Sequence, residues 1–183
     1  MSPSLTSLPP GLPSRVFDLC LLRGGPQDLP YSPRLLVALI VASTAVDAFA
    51  GHLIGDVDGA LARSLLSTLV VLGLCRLALT VRSLQNRFVQ TAIALVACGI
   101  AFSLVQLPFV LMAGPVPAPG TALTGAQILA GWATLALLVW QLAVSAHVMR
   151  HAIESSFGLA FALVVSWLVA YWALLRLLSA PAP

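Results

Sequence analysis

The sequence predicts an all-α membrane protein: a bundle of five transmembrane helices preceded by a short N-terminal amphipathic helix. Three observations carry this reading. Of the 183 residues, 60% are hydrophobic and 8% are charged, and the mean hydropathy is +1.01. A soluble globular domain has about 25% charged residues, so a water-soluble monomer is excluded. Five apolar stretches recur along the chain, each near the roughly 20 residues that cross a hydrocarbon core of about 30 Å. The net charge of +3 is scattered, which excludes nucleic acid as a partner.

The opening MSPSLTSLPPGLPS lacks the basic start and clean apolar run of a cleavable signal, so none is expected. Cys20 has no lipobox before it. Ser14 is placed to cap a short helix running to Arg23, stopped by Gly24, Gly25 and Pro26. This helix is expected to lie at the membrane surface with Arg15, Asp18 and Arg23 in water. Residues 1–33 therefore read as a cytoplasmic N-terminal segment and 34–180 as the transmembrane domain.

The first span is expected from Leu35 to Ile54, opened by Ser32 as cap, Pro33 in the first turn and Tyr31 at interface depth. The second runs from Leu61 to Val81 and the third from Phe88 to Met112. The fourth, Gly125 to Val148, starts with the capping-box pattern Thr124-x-x-Gln127. The fifth is Phe157 to Leu178. Residues 114–120, GPVPAPG, form an uncharged connector expected to be stiff and extended.

Arginine position sets the orientation. With five spans, Arg15, Arg23, Arg34, Arg82, Arg87 and Arg150 share one side, and Arg63 and Arg176 the other. The N-terminus is thus expected in the cytoplasm and the C-terminus outside. All nine basic residues are arginine, and Ala, Leu, Gly and Pro abound, which points to a GC-rich bacterial genome and an inner membrane. Cys20, Cys75 and Cys98 are odd in number and widely spaced, so neither a disulfide framework nor a metal motif is expected.

Candidate chemistry begins with Asp58-Gly-Ala-Leu-Ala-Arg63, in the turn before the second span. The string resembles the first half of the CDP-alcohol phosphatidyltransferase signature, whose aspartates bind divalent metal and activate an alcohol. The resemblance implies further aspartates downstream. Those positions hold Arg76 and Thr80, Leu72 takes the glycine position with Gly73 one residue late, and Asp56 stands two residues upstream rather than three. A carboxylate replaced by arginine does not bind metal. His147 and His151 share a helical face at i, i+4 with Glu154 nearby, while His52 belongs to the far end of the first span. About 20–25 Å of helical rise separates the two groups, which excludes a bis-histidine haem. No metal or cofactor is expected.

Ionisable groups inside spans are the best functional pointers in a polytopic protein. Asp47 lies in the first span one turn beyond Ser43, and Arg76 in the second, with Gln141 at similar depth in the fourth. Helical rise separates Asp47 from Arg76 by about 10 Å, leaving a bridged pair or an arginine that snorkels to headgroups. Gly51 and Gly55, and Ala97 and Ala101, have the spacing of close helix packing. Trp132, Trp140, Trp167 and Trp172 read as interface anchors or packing groups.

In span number and orientation the chain is similar to the Yip-type membrane proteins, which implies a membrane-organising or trafficking role. The first expectation is therefore a non-enzymatic inner-membrane protein acting as accessory subunit, assembly factor or scaffold. Its partners would be the lipid bilayer and other membrane proteins or copies of itself. The alternatives are a small proton-linked transporter using Asp47 and Arg76, and a lipid-modifying enzyme at Asp58.

Overall fold

Backbone polar groups have no water to bind in hydrocarbon, so each span must satisfy its own amides as a helix. A computed structural model describes residues 11–53, 55–114 and 122–178. Its helices are α1 (Leu12–Cys20), α2 (Pro33–Leu53), α3 (Val57–Val81), α4 (Phe88–Ala113), α5 (Gly125–Ala152) and α6 (Phe157–Leu178). The last five are long and apolar enough to cross a membrane, which makes this a multi-pass membrane protein with an all-α fold. The 114–120 connector lies outside the described residues apart from Gly114.

Several helix starts are legible in the sequence. Ser32 Oγ accepts from the Leu35 amide at 3.3 Å. At α5, the Gln127 amide donates to Thr124 Oγ1 at 3.3 Å and the Thr124 amide to Gln127 Oε1 at 2.9 Å. The same Gln127 side chain donates to the Ala113 carbonyl at 3.2 Å and so ties the ends of α4 and α5 together. Two starts differ from expectation. α1 begins at Leu12 with Gly11 as its cap, and the Ser14 hydroxyl instead donates to the Gly11 carbonyl at 2.7 Å. α3 begins at Val57, so Asp58 and Gly59 form its first turn rather than a loop. An acidic residue there suits the positive end of the helix dipole.

Helix ends are less legible. α1 stops at Cys20, before the glycines, because Leu22 takes a left-handed conformation (φ 61°). The Leu22 amide then donates to the Leu19 carbonyl (3.0 Å) and the Arg23 amide to the Asp18 carbonyl (2.9 Å), a Schellman cap. The same cap closes α3 around Ser83 (φ 58°) and α5 around Glu154 (φ 52°). None of these three residues is glycine, so no glycine signal marks the stops.

α2 packs on α3 and α4, α3 on α6, α6 on α5, and α5 on α4. The five spans thus close into a ring, and α3 also touches α4. Along α4, residues 91–98 are buried continuously. Their small side chains (Thr91, Ala92, Ala94, Ala97, Cys98) let neighbours approach closely. α1 and the segment after it, which makes a 3-10 turn at Pro26–Asp28, fill the remaining side. Leu19 and Leu29 are buried in the same core as Ile93, Val148 and Met149.

Side chains of the bundle also bind carbonyls of that segment. Trp140 Nε1 donates to Cys20 O (2.9 Å) and Gln90 Nε2 to Leu29 O (2.8 Å). His147 Nε2 sits 2.8 Å from Gly24 O; a carbonyl only accepts, so this ring nitrogen carries the proton. Arg87 and Glu154 form a 2.6 Å ion pair between the α3–α4 and α5–α6 turns.

Of the two spaced glycines, one serves packing. A Cβ on Gly51 would lie 2.4 Å from Ala60 Cβ and 2.7 Å from the Asp56 carbonyl oxygen. Gly55 faces open space with φ +75°, and what it supplies is the turn. Gly51→Ala should therefore lower stability by about 1–3 kcal/mol, the usual cost of overpacking. Gly73→Ala, at an exposed and open position on α3, should change the melting temperature in detergent little by comparison. Equal melting temperatures for the two variants would show that α2 and α3 do not meet this closely.

Candidate binding cavity within the bundle

The ring of spans surrounds a cavity of about 500 Å³ to which all five helices contribute. α2 supplies Ser43, α3 Ser67 and Thr68, α4 Gln106, and α5 Gln141 and Ser145. α6 adds Trp167, Tyr171 and Trp172. Helical rise places the six hydroxyl and amide residues about 10–27 Å from the arginine-rich end of the bundle, well inside the apolar layer.

These side chains differ from the other polar groups of the spans. Thr44, Thr80, Thr91 and Ser166 each return their hydroxyl to a backbone carbonyl three or four residues earlier. Ser43, Ser67, Thr68, Gln106, Gln141 and Ser145 make no hydrogen bond with any described residue. A polar group in an apolar medium without a partner is costly, and because these six are only half-buried, water or a polar solute entering this half-open space can reach them. The volume falls within the roughly 300–1,000 Å³ usual for small-ligand sites.

Asp47 stands one turn beyond Ser43 on α2. Ser64 Oγ donates to its Oδ2 at 2.6 Å, and Ser103 Oγ to its Oδ1 at 3.3 Å. The three residues share a level about 21–25 Å from the arginine-rich end by helical rise. The Asp47 carboxylate thus links α2 to both α3 and α4. Tyr171 on α6 lies within electrostatic reach of it.

Arg76 does not join Asp47. It is exposed, with its guanidinium carbon 5.6 Å from the centre of the Phe88 ring. The reason is angular. Ser64, Thr68, Val71, Cys75 and Leu79 follow one face of α3, and Arg76 is a further 100° around the helix from Cys75 by the 3.6-residue turn, roughly a quarter circle. Gln141 lies in the cavity, also apart from Arg76. Asp47 and Gln141 could be read from sequence as intramembrane polar groups. Ser64 and Ser103 were not singled out, and the available signal was a hydroxyl residue on a neighbouring span at the depth of Asp47.

The remaining candidates are dispersed. Arg63 Nη2 donates to Asp56 Oδ2 at 2.7 Å, while Asp58 is exposed. The guanidinium holds the Asp56 carboxyl below its ordinary value of 3.8. His147 and His151 meet edge to face with ring centres 4.7 Å apart, but His147 Nε2 is engaged by Gly24. Among the described residues, no three of His, Cys, Asp and Glu converge as a metal set. No family model, curated protein or solved structure matches the chain.

Two outcomes follow from this geometry. In detergent melts, Asp47→Ala and Ser64→Ala should couple by about 0.6–1.7 kcal/mol, the range of polar couplings between membrane helices. Asp47→Ala and Arg76→Ala should be additive, and a comparable coupling there would place Arg76 in the core after all. At Asp56 the folded-state carboxyl is the stronger acid, so its ion pair favours the fold above pH 3.8 and is lost as pH falls below that value. Because the pair is half-exposed, the effect is small and salt-sensitive. Asp56→Asn should flatten the acid limb of a melting-temperature profile at low salt, and an unchanged limb would remove the ion pair from the account.

Proposed function

We propose that this chain is a small, non-enzymatic, proton-linked carrier of a polar solute. The solute occupies the central cavity, and Asp47 carries the coupled proton. The supporting observation is the set of six hydroxyl and amide side chains, unpartnered among the described residues, that line an intramembrane space, with Asp47 one helical turn from the lining Ser43 on α2. An aspartate within a span costs about 2.5–3.5 kcal/mol on insertion scales. Two serine hydroxyls, from Ser64 and Ser103, answer part of that cost. Arg76 has no part in the coupling, since it lies on the lipid-facing side of α3 over Phe88. The distribution of arginines supports a bacterial inner membrane with the N-terminus in the cytoplasm.

The test is access. A carrier must open its cavity to water, whereas an accessory subunit or scaffold has no need to. Ser67→Cys and Ser145→Cys in proteoliposomes should react with a membrane-impermeant methanethiosulfonate above the wild-type level set by Cys20, Cys75 and Cys98. Asp47→Asn should leave that labelling intact while abolishing solute-driven proton movement. Labelling of neither cysteine from either side would leave the scaffold as the better account.

A further inference from the structure

The lining of the cavity is neutral and amphipathic. On α6, Val164, Trp167, Leu168, Tyr171 and Trp172 recur at three- and four-residue steps, so one face of that helix lines the space with three aromatic rings. On the other spans, Ser43, Ser67, Thr68 and Gln141 lie about 15–21 Å from the arginine-rich end by helical rise, and the three rings about 15–23 Å. Aromatic and hydrogen-bonding groups thus share one level. Among the described residues, no charged side chain lines the cavity. Asp47 is not part of the lining, and its carboxylate is engaged by Ser64 and Ser103. Gly99 on α4 does line the space, and a Cβ there would meet no atom within 4 Å.

Each feature narrows the solute. An ion entering this layer gives up hydration, and a lining without an opposite charge returns nothing for it. Hydroxyl and amide side chains both donate and accept, so a ligand that only donates or only accepts leaves part of them unmatched. A solute hydroxyl does both. What such a solute must still bury is its carbon skeleton, for which indole and phenol rings offer broad, rigid apolar area. We infer that the solute is a neutral polyhydroxylated molecule, a monosaccharide or polyol. Its hydroxyls bond to the serine, threonine and glutamine side chains, and a C–H face lies against the α6 rings. The cavity of about 500 Å³ has room for one such molecule together with bridging water. This assignment rests on the carrier reading and adds its substrate class.

The test uses the full chain in nanodiscs, prepared without glycoside detergent, and saturation-transfer NMR on glucose, galactose, mannose, ribose, xylose, sorbitol, mannitol and glycerol. At least one of them should bind in the millimolar range or tighter. Glucuronate, a sugar ring carrying a carboxylate, and the cation choline should not compete with it. Tetrahydropyran-2-methanol, a sugar ring stripped of its ring hydroxyls, should bind about tenfold more weakly or worse, because the lining groups are then left unpaired. Gln141→Leu should weaken binding about two- to tenfold, the worth of one hydrogen bond. Gly99→Leu should abolish binding without lowering the melting temperature, since its Cβ meets no neighbour and its side chain extends into the space. Arg76→Gln, on the exterior, should bind as the wild type does. Binding by none of the eight solutes, equal binding of the stripped ring, competition by glucuronate or choline, or undiminished binding by Gly99→Leu would overturn the assignment. Labelling of Ser67→Cys and Ser145→Cys in that case would leave the carrier reading standing with another solute class. Its absence would remove both.

Discussion

The enclosure of the first half of α4 is the constraint on which the rest of the structure depends. Residues 91–98 are buried on every face, with α1, α2, α3 and α5 around them. Lipid tails are as apolar as leucine, so no hydrophobic drive brings membrane helices together, and close packing must. Thr91, Ala92, Ala94, Ala97 and Cys98 keep this stretch thin, and Ala146 and Ala152 on α5 answer them. Only because α4 is thin can a sixth element, the segment from Leu12 to Leu29, press Leu19 and Leu29 into the same core.

Farther along α4 the enclosure ends, and the spans part around the cavity. Polar residues in the closed half are matched one by one: Thr91 to Arg87, Gln90 to Leu29, His147 to Gly24. Around the cavity, Ser43, Ser67, Thr68, Gln106, Gln141 and Ser145 converge without partners among the described residues, while Asp47, Ser64 and Ser103 bind one another. The contrast argues against chance, since random hydroxyls on an apolar helix satisfy themselves on the preceding turn, as Thr44 and Thr80 do here. Ser43, only one residue from Thr44, instead faces the cavity.

Much of this fold was legible in the sequence because its signals are local. Span number follows from run length, and the starts of α2 and α5 follow from Ser32 and Thr124, whose side chains act within three residues. Helix ends were harder, because Leu22, Ser83 and Glu154 hold a conformation that ordinarily announces itself through glycine. The site was legible in part. Asp47 and Gln141 stand out as polar residues in apolar runs. Which of them meet depends on helix azimuth and neighbour order, and neither can be read from hydropathy. Depth alone suggested Arg76 for Asp47, yet the 100° step from Cys75 to Arg76 sends the arginine to the lipid side. Ser64 and Ser103 partner Asp47 across 17 and 56 residues of sequence, separations at which composition carries no pairing information.

α2 shows how structure and function share one group. Gly51 is its only fully buried residue among those described. Besides Leu35, Leu36 and Leu39, which lie against the core, α2 is held at two places: the close approach of Gly51 to Ala60, and the Asp47 carboxylate bound by Ser64 and Ser103. The first is a steric fit that no ligand alters. The second consists of hydrogen bonds from two serine hydroxyls to one carboxylate. A carboxylate accepts from both serines, whereas a protonated carboxyl keeps one oxygen as a donor and must turn one hydroxyl around. The steric contact lies near the α2–α3 turn and the carboxylate tie about a turn of helix away, so the C-terminal half of α2 is fixed twice, once by shape and once by hydrogen bonds that cross to both α3 and α4.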